Sequence, residues 1–299
     1  LLTLFLSNEQ VNKAMKKVWL ITGASSGLGQ ALAQAVIAQG DLAVITARRL
    51  DRLQQIAYGH EDQVLAVALD VTDATARSQV IEQAIQHFGR IDVLANIAGR
   101  GVVGACEEFS LQQLREQMEL NFFAAAEMTR AVLPQMRQQA SGHILTLSSI
   151  AGLVAMNAAG PYCAAKFAIE GWTESLALEV KALGIHVTLV EPGAFRTEFA
   201  GDVNMRPAQH IQAYRAVVEP FEQYLEGSSG KQLGDPAKAA QRMLEVVESA
   251  TPPTRLMLGQ DAFSIWDQTL ATRTQDIDSW RQKGIETAFD DAEFVEIQL

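Results

Sequence analysis

Tyr162 and Lys166 stand four residues apart in a stretch, 160–183, whose apolar spacing predicts a long helix, so they share one face about a turn apart. A phenol ordinarily titrates near ~10, and a neighbouring ammonium favours the phenolate and brings that value toward working pH. Such a pair can release and recover a proton. Ser149 closes a predicted strand 13 residues before Tyr162, where a hydroxyl can hydrogen-bond a substrate oxygen. Each feature also has a plainer explanation. A solvated Tyr–Lys contact looks the same in sequence, and Ser149 is equally a turn residue, as is Ser148.

A second stretch, 18–29, runs four apolar residues into Thr22 and three spaced glycines, Gly23, Gly27 and Gly29. Residues 30–39 follow without glycine or proline until Gly40. The pattern predicts a buried strand, a tight turn and a helix. Such a turn leaves backbone N–H groups at a helix N-terminus facing out, where a phosphate can sit. Glycine lets backbone approach the ligand and lets the helix pack on the strand. The spacing is not the common G-x-G-x-x-G, and glycine clusters also mark ordinary strand–helix turns.

These groups need elements to hold them, and strands and helices alternate along the chain. Strands are predicted at 42–46, 64–69, 91–96, 143–148, 185–190 and 255–258, after the first near 18. Helices are predicted from about 49 to 58, at 74–88 closed by Gly89, at 111–137, at 160–183 stopped by Gly184, and at 236–249. The alternation implies right-handed βαβ units and an α/β, doubly wound parallel sheet. A ligand in such a sheet lies beyond the C-terminal strand ends, where Gly23, Arg48, Asp70, Asn96, Ser149 and Pro192 fall.

The 299 residues are 48% hydrophobic and 20% charged, enough for a full core in one large α/β domain. A net charge of −11 argues against nucleic acid or an anionic membrane as partner. The two cysteines, Cys106 and Cys163, point to a reducing, cytoplasmic location without a disulfide framework. No Cys/His cluster has metal-ligand spacing, so no metal is expected. No apolar run reaches the roughly 18 residues of a membrane span. Residues 1–14 are apolar at their start but lack a basic segment and a cleavage site, and Met15 precedes the first strand; we expect a non-native or disordered leader before a single domain at 15–299.

Taken together, the motifs resemble the short-chain dehydrogenase/reductase family in its single-domain branch. The resemblance rests on Thr22 to Gly29, on Asn96-Ile97-Ala98-Gly99, on Asn121, Ser149, Tyr162-Cys163-Ala164-Ala165-Lys166 and Pro192-Gly193, and covers about residues 15–200. Residues 234–240 and 258–262 resemble a bacterial subgroup of the same family. The resemblance implies a Rossmann fold of about seven strands in the order 3-2-1-4-5-6-7, and a homodimer or homotetramer paired through the helices at 111–137 and 160–183. Tyr162 is implied as general acid/base, Lys166 as the residue that holds the nicotinamide ribose and depresses the phenol, and Ser149 as the group that polarises the substrate oxygen. Asn121 is implied to keep its helix locally open and to hold a water leading to Lys166; an ordinary buried helix asparagine is the alternative. Ser25, Ser26, Leu28, Val71, Ala98, Gly99, Gly193 and Thr197 are implied cofactor contacts, with backbone of Val190 or Ala194 on the carboxamide. Ile97 replaces a second asparagine common in the family, which puts that residue's bracing of the sheet in doubt. Cys163 stands where serine is common and reads as packing.

The second strand ends Ala47-Arg48-Arg49. An NAD enzyme usually places an acid near here; Ala47 takes that position, and a guanidinium pairs with a 2′-phosphate. NADP(H) is therefore expected, with Arg48 and Arg49 on the phosphate, although Arg49 equally suits a solvated helix start. Ser26 is neutral on this choice. Asp70 resembles the adenine-side contact, or caps the next helix, as do Thr72 and Asp73. Residues 195–234 are expected to form a mobile lid, before a helical tail at 261–299. Its Met205, Tyr214, Phe221 and Tyr224, with Leu153, Met156, Phe195 and Phe199, are expected to face an apolar pocket. Arg100 or Glu191 is a candidate polar contact. These residues equally suit packing against the domain. The expected activity is NADP(H)-dependent transfer between a hydrophobic alcohol and its ketone or aldehyde. An NADP(H)-sensing regulator without turnover, or a dehydratase or epimerase, is the competing class; the presence of Asn121, Ser149, Tyr162 and Lys166 together disfavours the sensor.

Overall fold

The computed structural model describes residues 16–200 and 204–296. The expected leader at 1–14 lies outside them. Seven strands form one parallel sheet in the order β3-β2-β1-β4-β5-β6-β7. They are β1 Val18–Thr22, β2 Leu42–Ala47, β3 Val64–Ala68, β4 Val93–Asn96, β5 Gly142–Leu147, β6 Ile185–Pro192 and β7 Arg255–Leu258. The order is the expected one. β1 is buried at every position because helices cover both faces, which is why it reads as a continuous apolar run rather than an alternation.

One apolar layer packs α1 (Gly27–Gln39) and α8 (Pro236–Glu248) on the sheet, with Leu32, Val36, Met243 and Leu244 against Trp19 and Ile21. The other packs α3 (Ala74–Phe88), α5 (Ala124–Gln139) and α6 (Gly160–Val180), with Val80, Met128, Val132 and Leu176 against Leu20 and Ile144. The short α2 (Leu50–Ala57) seats Leu53 in the first layer. Asp73, rather than Asp70 or Thr72, caps α3 by accepting the N–H groups of Thr75 and Ala76. Asp70 turns its carboxylate onto the N–H and hydroxyl of Thr72.

The helix expected at 111–137 is α4 (Leu111–Met118), a π-turn over Glu119–Phe123 and then α5. The wider turn frees carbonyls and occurs at functional positions, and here it contains Asn121. The helix expected at 160–183 ends as α6 at Val180, and a 3₁₀ turn carries the chain to Gly184, whose φ of +73° supplies the left-handed stop. The segment 195–234 holds α7 (Arg215–Ser228). The tail forms α9 (Gln260–Ile285), with Ala262 buried at its start. No helix among the described residues is long and apolar enough to cross a membrane.

Candidate active site

The first turn of α1 builds one end of the site. Ser26 occupies the N-cap position with extended backbone and makes no side-chain capping bond, and no acid stands in the first turn. The positive end of α1 is thus directed at whatever lies over the loop. A Cβ on Gly29 collides with the carbonyl of Gly23, so glycine is needed for the helix to start this close to β1. Thr197, arriving after β6, sits over Gly27: a Cβ there would meet its side chain at 3.4 Å.

The other end lies where β5, α5 and α6 converge. Lys166 is buried, and its Nζ donates to the Leu147 carbonyl at 2.6 Å and stands 5.6 Å from the centre of the Tyr162 ring. Asn121 Nδ2 donates to the Arg100 carbonyl at 3.0 Å, and its Oδ1 accepts from the Arg100 N–H at 3.3 Å. Gly99 makes room for both: a Cβ there would lie 2.6 Å from Asn121 Oδ1 and 3.8 Å from Lys166 Nζ. Ser149 Oγ accepts the Ala151 N–H at 3.1 Å and hydrogen-bonds Tyr162. Phe199 covers the Tyr162 ring at a centroid distance of 5.8 Å.

Burial sets the protonation of the pair. It pulls Lys166 from the usual lysine value down to about 8, against the charge of Glu170, which raises it. It pushes the Tyr162 hydroxyl above the ordinary tyrosine range; the Ser149 hydrogen bond opposes this and Cys163 adds to it. The expected depression of the phenol by Lys166 is therefore corrected. The ammonium is engaged on the Leu147 carbonyl, and desolvation of the phenolate dominates. Tyr162 therefore holds its proton and has one to donate.

Both ends open into one cavity of about 1350 Å³. Its walls include Gly23, Ser25, Ser26, Gly27, Leu28, Gly29, Arg48, Arg49, Asp70, Val71, Ala98 and Gly99, then Asn121, Ser149, Tyr162, Lys166, Pro192, Gly193 and Thr197. Arg49 donates to Ser25 at 3.2 Å and faces Glu198 at 3.9 Å. Arg48 lies near enough to Asp70 to help lower that carboxyl; burial opposes the shift, and the two Thr72 hydrogen bonds lead it. The cavity, the loop under an uncapped helix N-terminus and the cations at its rim fit a dinucleotide. Among the described residues no group of three or more His, Cys, Asp or Glu is close enough to hold a metal ion.

Several expected positions move. Asn96 faces away from the cavity and donates to Thr129 at 2.9 Å, bracing β4 to α5. Thr22 Oγ1 accepts the N–H groups of Ile97 and Ala98 at 3.0 and 3.2 Å, so a hydroxyl from β1 braces the strand end where the second asparagine is missing. Ala194 is engaged on both backbone groups, its N–H on Asp261 and its carbonyl on Gly234, and the Val190 carbonyl takes the Ser148 N–H. Leu153 turns from the cavity into a cluster with Ala262, Ile265 and Trp266. Glu191 is buried on Arg255 and does not line the cavity. Met156, Phe195, Phe199, Phe221 and Tyr224 do line it. Met205 and Tyr214 instead stitch the 204–232 segment to the loop after β4: the Val103 N–H donates to the Met205 carbonyl at 3.0 Å, and the Tyr214 hydroxyl donates to Glu107 at 2.5 Å. The Ile211 N–H adds a bond to Glu108 at 2.8 Å.

Asp261 is the functional-site residue that sequence reasoning left without a role. From the first turn of α9 its carboxylate accepts the Ala194 N–H at 2.7 Å and fills the space that side chains at Gly193 and Gly259 would need. The signal was the run Leu258-Gly259-Gln260-Asp261-Ala262, whose acid and glycine fix the loop after β6. Val154, Leu225 and Ile265 complete the apolar wall without any sequence signature.

A family model described as short chain dehydrogenase matches residues 17–208. The oxidoreductase BOA17 of Botryotinia fuckeliana is 37% identical over 276 residues, covering 92% of this chain and 100% of that protein. Human retinol dehydrogenase 8 is 34% identical over 263 residues, 81% of each chain. A solved short-chain dehydrogenase from Streptomyces avermitilis superposes with a TM-score of 0.87 at 39% identity, covering 92% of this chain and 100% of that one.

Proposed function

The chain belongs to the short-chain dehydrogenase family of oxidoreductases, and from that premise we propose an NADP(H)-dependent enzyme acting on a hydrophobic secondary alcohol and its ketone, or an aldehyde. The observation that carries the reading is that Tyr162, Ser149, Lys166 and Asn121 line the same cavity as the glycine loop and Arg48. Gly23, Ser25, Ser26, Gly27, Leu28 and Gly29 cradle the pyrophosphate at the positive end of α1. Arg48 takes the 2′-phosphate, since Arg49 is committed to Ser25 and Glu198. Asp70 and Val71 flank the adenine side, Ala98 and Gly99 the riboses, and Pro192, Gly193 and Thr197 the nicotinamide. When bound, the nicotinamide gives or takes a hydride at the substrate carbon.

The chain's own groups handle the oxygen and the proton. Ser149 orients the substrate oxygen toward Tyr162. Tyr162 passes its proton to that oxygen in reduction and recovers it in oxidation. Lys166 holds positive charge one helical turn away, and this stabilises the phenolate as it forms. Asn121, fixed on Arg100, keeps the π-turn open beside Lys166, along which we infer protons reach it. Phe199, Phe221, Tyr224, Met156 and Ile265 exclude water and favour an apolar substrate. The name of the human relative, a retinol dehydrogenase, supports that class. We infer that the segment after Phe195 acts as the lid, tied down by bonds from Ile211 to Glu108 and from Tyr214 to Glu107.

Purified protein mixed with NADPH and a panel of aryl ketones, keto-steroids and retinal tests this. Consumption of NADPH faster than NADH is expected. Tight NADPH binding with no consumption across the panel favours the sensor instead. We also propose a dimer or tetramer through the α4–α5 and α6 faces, where Leu111, Phe123, Phe167 and Leu178 are exposed; light scattering of the native protein checks it.

A further inference from the structure

Behind Lys166, away from the cavity, α6, β6 and β7 bring three charged side chains together. Arg255 Nη1 donates to Glu170 Oε2 at 2.6 Å and to Glu191 Oε1 at 2.5 Å. Glu170 is 4% exposed and Glu191 1%. The two carboxyls lie within hydrogen-bonding reach of each other, and the oxygen of each that Arg255 does not take, Glu170 Oε1 and Glu191 Oε2, is buried without a partner among the described residues. Two like charges held on one guanidinium nitrogen repel, and a buried acceptor without a donor is costly. A single proton between the carboxyls removes both penalties.

The pair sits against the proton-handling side chains. Glu170 follows Lys166 by one turn of α6 and its charge acts on that ammonium. Gly152 lets the group close: a Cβ there would lie 2.5 Å from Ser148 Oγ, 2.9 Å from Glu170 Cγ and 3.1 Å from the Lys166 carbonyl. The charged groups facing the pair are Lys166 and Glu174 from α6 and Arg255 from β7, where Glu174 pairs with Arg255 at 3.1 Å. With one proton on the pair, two negative charges face two positive ones.

Resting on the role given to Lys166 above, we propose that Glu170 and Glu191 share one proton and serve as a positioning pair that keeps Lys166 charged. Burial and the Glu170 charge push Glu191 up to about 7, against Arg255. Loss of the shared proton as pH rises through that value places a second negative charge behind Lys166, where burial has drawn the ammonium down to about 8. Glu170 thus supports the ammonium over the range in which it would otherwise fail, and Glu191 sets when that support is complete.

Two titrations test the proposal, and neither needs turnover. Infrared spectroscopy of the wild-type protein should find a buried carboxylic acid band that vanishes with a midpoint near neutral pH. That midpoint should move at least about one pH unit lower in Glu170→Gln and the band should be absent in Glu191→Gln. Carbon-13 titration of Lys166, assigned by its loss in Lys166→Arg, should show a midpoint about one pH unit lower in Glu170→Gln, and back toward wild type in Glu170→Asp. Absence of the neutral-range band in wild type overturns the shared proton, and needs no variant to fold. An unmoved Lys166 midpoint in Glu170→Gln overturns the positioning role, because a merely structural carboxyl would leave it in place. If no carbonyl compound is reduced while both titrations behave as stated, the reaction assignment fails and the proton pair stands.

Discussion

Both edges of the sheet are polar, and they are built differently. At the N-terminal edge, Asp41 accepts the Lys17 N–H at 2.9 Å and the Trp19 indole at 3.0 Å. Asp92 takes the Val18 N–H at 2.9 Å and Arg90 at 2.6 Å. His143 bonds Thr188 at 3.0 Å, whose hydroxyl donates to the Pro253 carbonyl at 2.7 Å. Each set closes on itself. At the C-terminal edge, Ser148 Oγ, Glu170 Oε1 and Glu191 Oε2 lack partners among the described residues, the first turn of α1 is uncapped, and the strands end on the cavity. Among the described residues local satisfaction has been relaxed at the C-terminal edge, which is the edge with candidate chemistry. Burial perturbs a base at each: Lys166 above and His143 below. Under the proposed reaction the first bears on turnover and the second on stability.

The largest test of that division removes one oxygen. Tyr162→Phe should lower kcat about 10²- to 10⁴-fold while NADPH affinity and Tm stay near wild type, since the ring packing is retained. Retained turnover would remove the site from this edge. The pH profile comes next. Lys166 loses its proton as pH rises through about 8, so kcat/KM should fall about tenfold per pH unit above that value, and a flat profile to high pH would separate Lys166 from the chemistry. Arg48→Ala should weaken NADPH about 10- to 100-fold, as for the loss of one charged hydrogen bond, and leave NADH nearly unchanged. Equal weakening of both would reassign Arg48 to its neighbour Asp70.

How much of this was legible in the sequence follows from the same contrast. The strands, α3 among the helices and β7 were readable because glycine stops and apolar runs are local signals, whereas the strand order came with the family resemblance. The glycine loop, Tyr162 and Lys166 were readable because short spacing fixes their geometry. Asn96 and Leu153 were misplaced since the direction of a side chain at a strand end or in a 3₁₀ turn depends on what packs beside it. Glu170, Glu191 and Arg255 come from three elements far apart in the chain, so no window of sequence holds them together. The state of Tyr162 was missed for a related reason. The helix spacing revealed its ammonium neighbour, but the desolvation that outweighs it comes from the whole fold.

The smallest effect probes the closed edge. Thr188 spends its hydroxyl proton on Pro253, so it accepts from His143, which carries a hydrogen on Nε2. Burial first, then the charges of His186 and Lys17, hold His143 down at about 3. The unfolded histidine takes its proton near 6.5, so between these values the unfolded chain holds more protons and stability falls as pH falls. His143→Gln keeps a donor for Thr188 and does not titrate. At neutral pH it should cost about 1 kcal/mol. Below pH 6.5 the wild type alone loses roughly 1.4 kcal/mol per pH unit, so the two stability curves should meet about one unit lower and then cross. NADPH affinity and kcat should be the same in both proteins at neutral pH. A constant gap between the curves would mean that His143 is not held neutral by burial. A change in kcat would mean that the N-terminal edge is coupled to the site, and the division between the two edges would have to be redrawn.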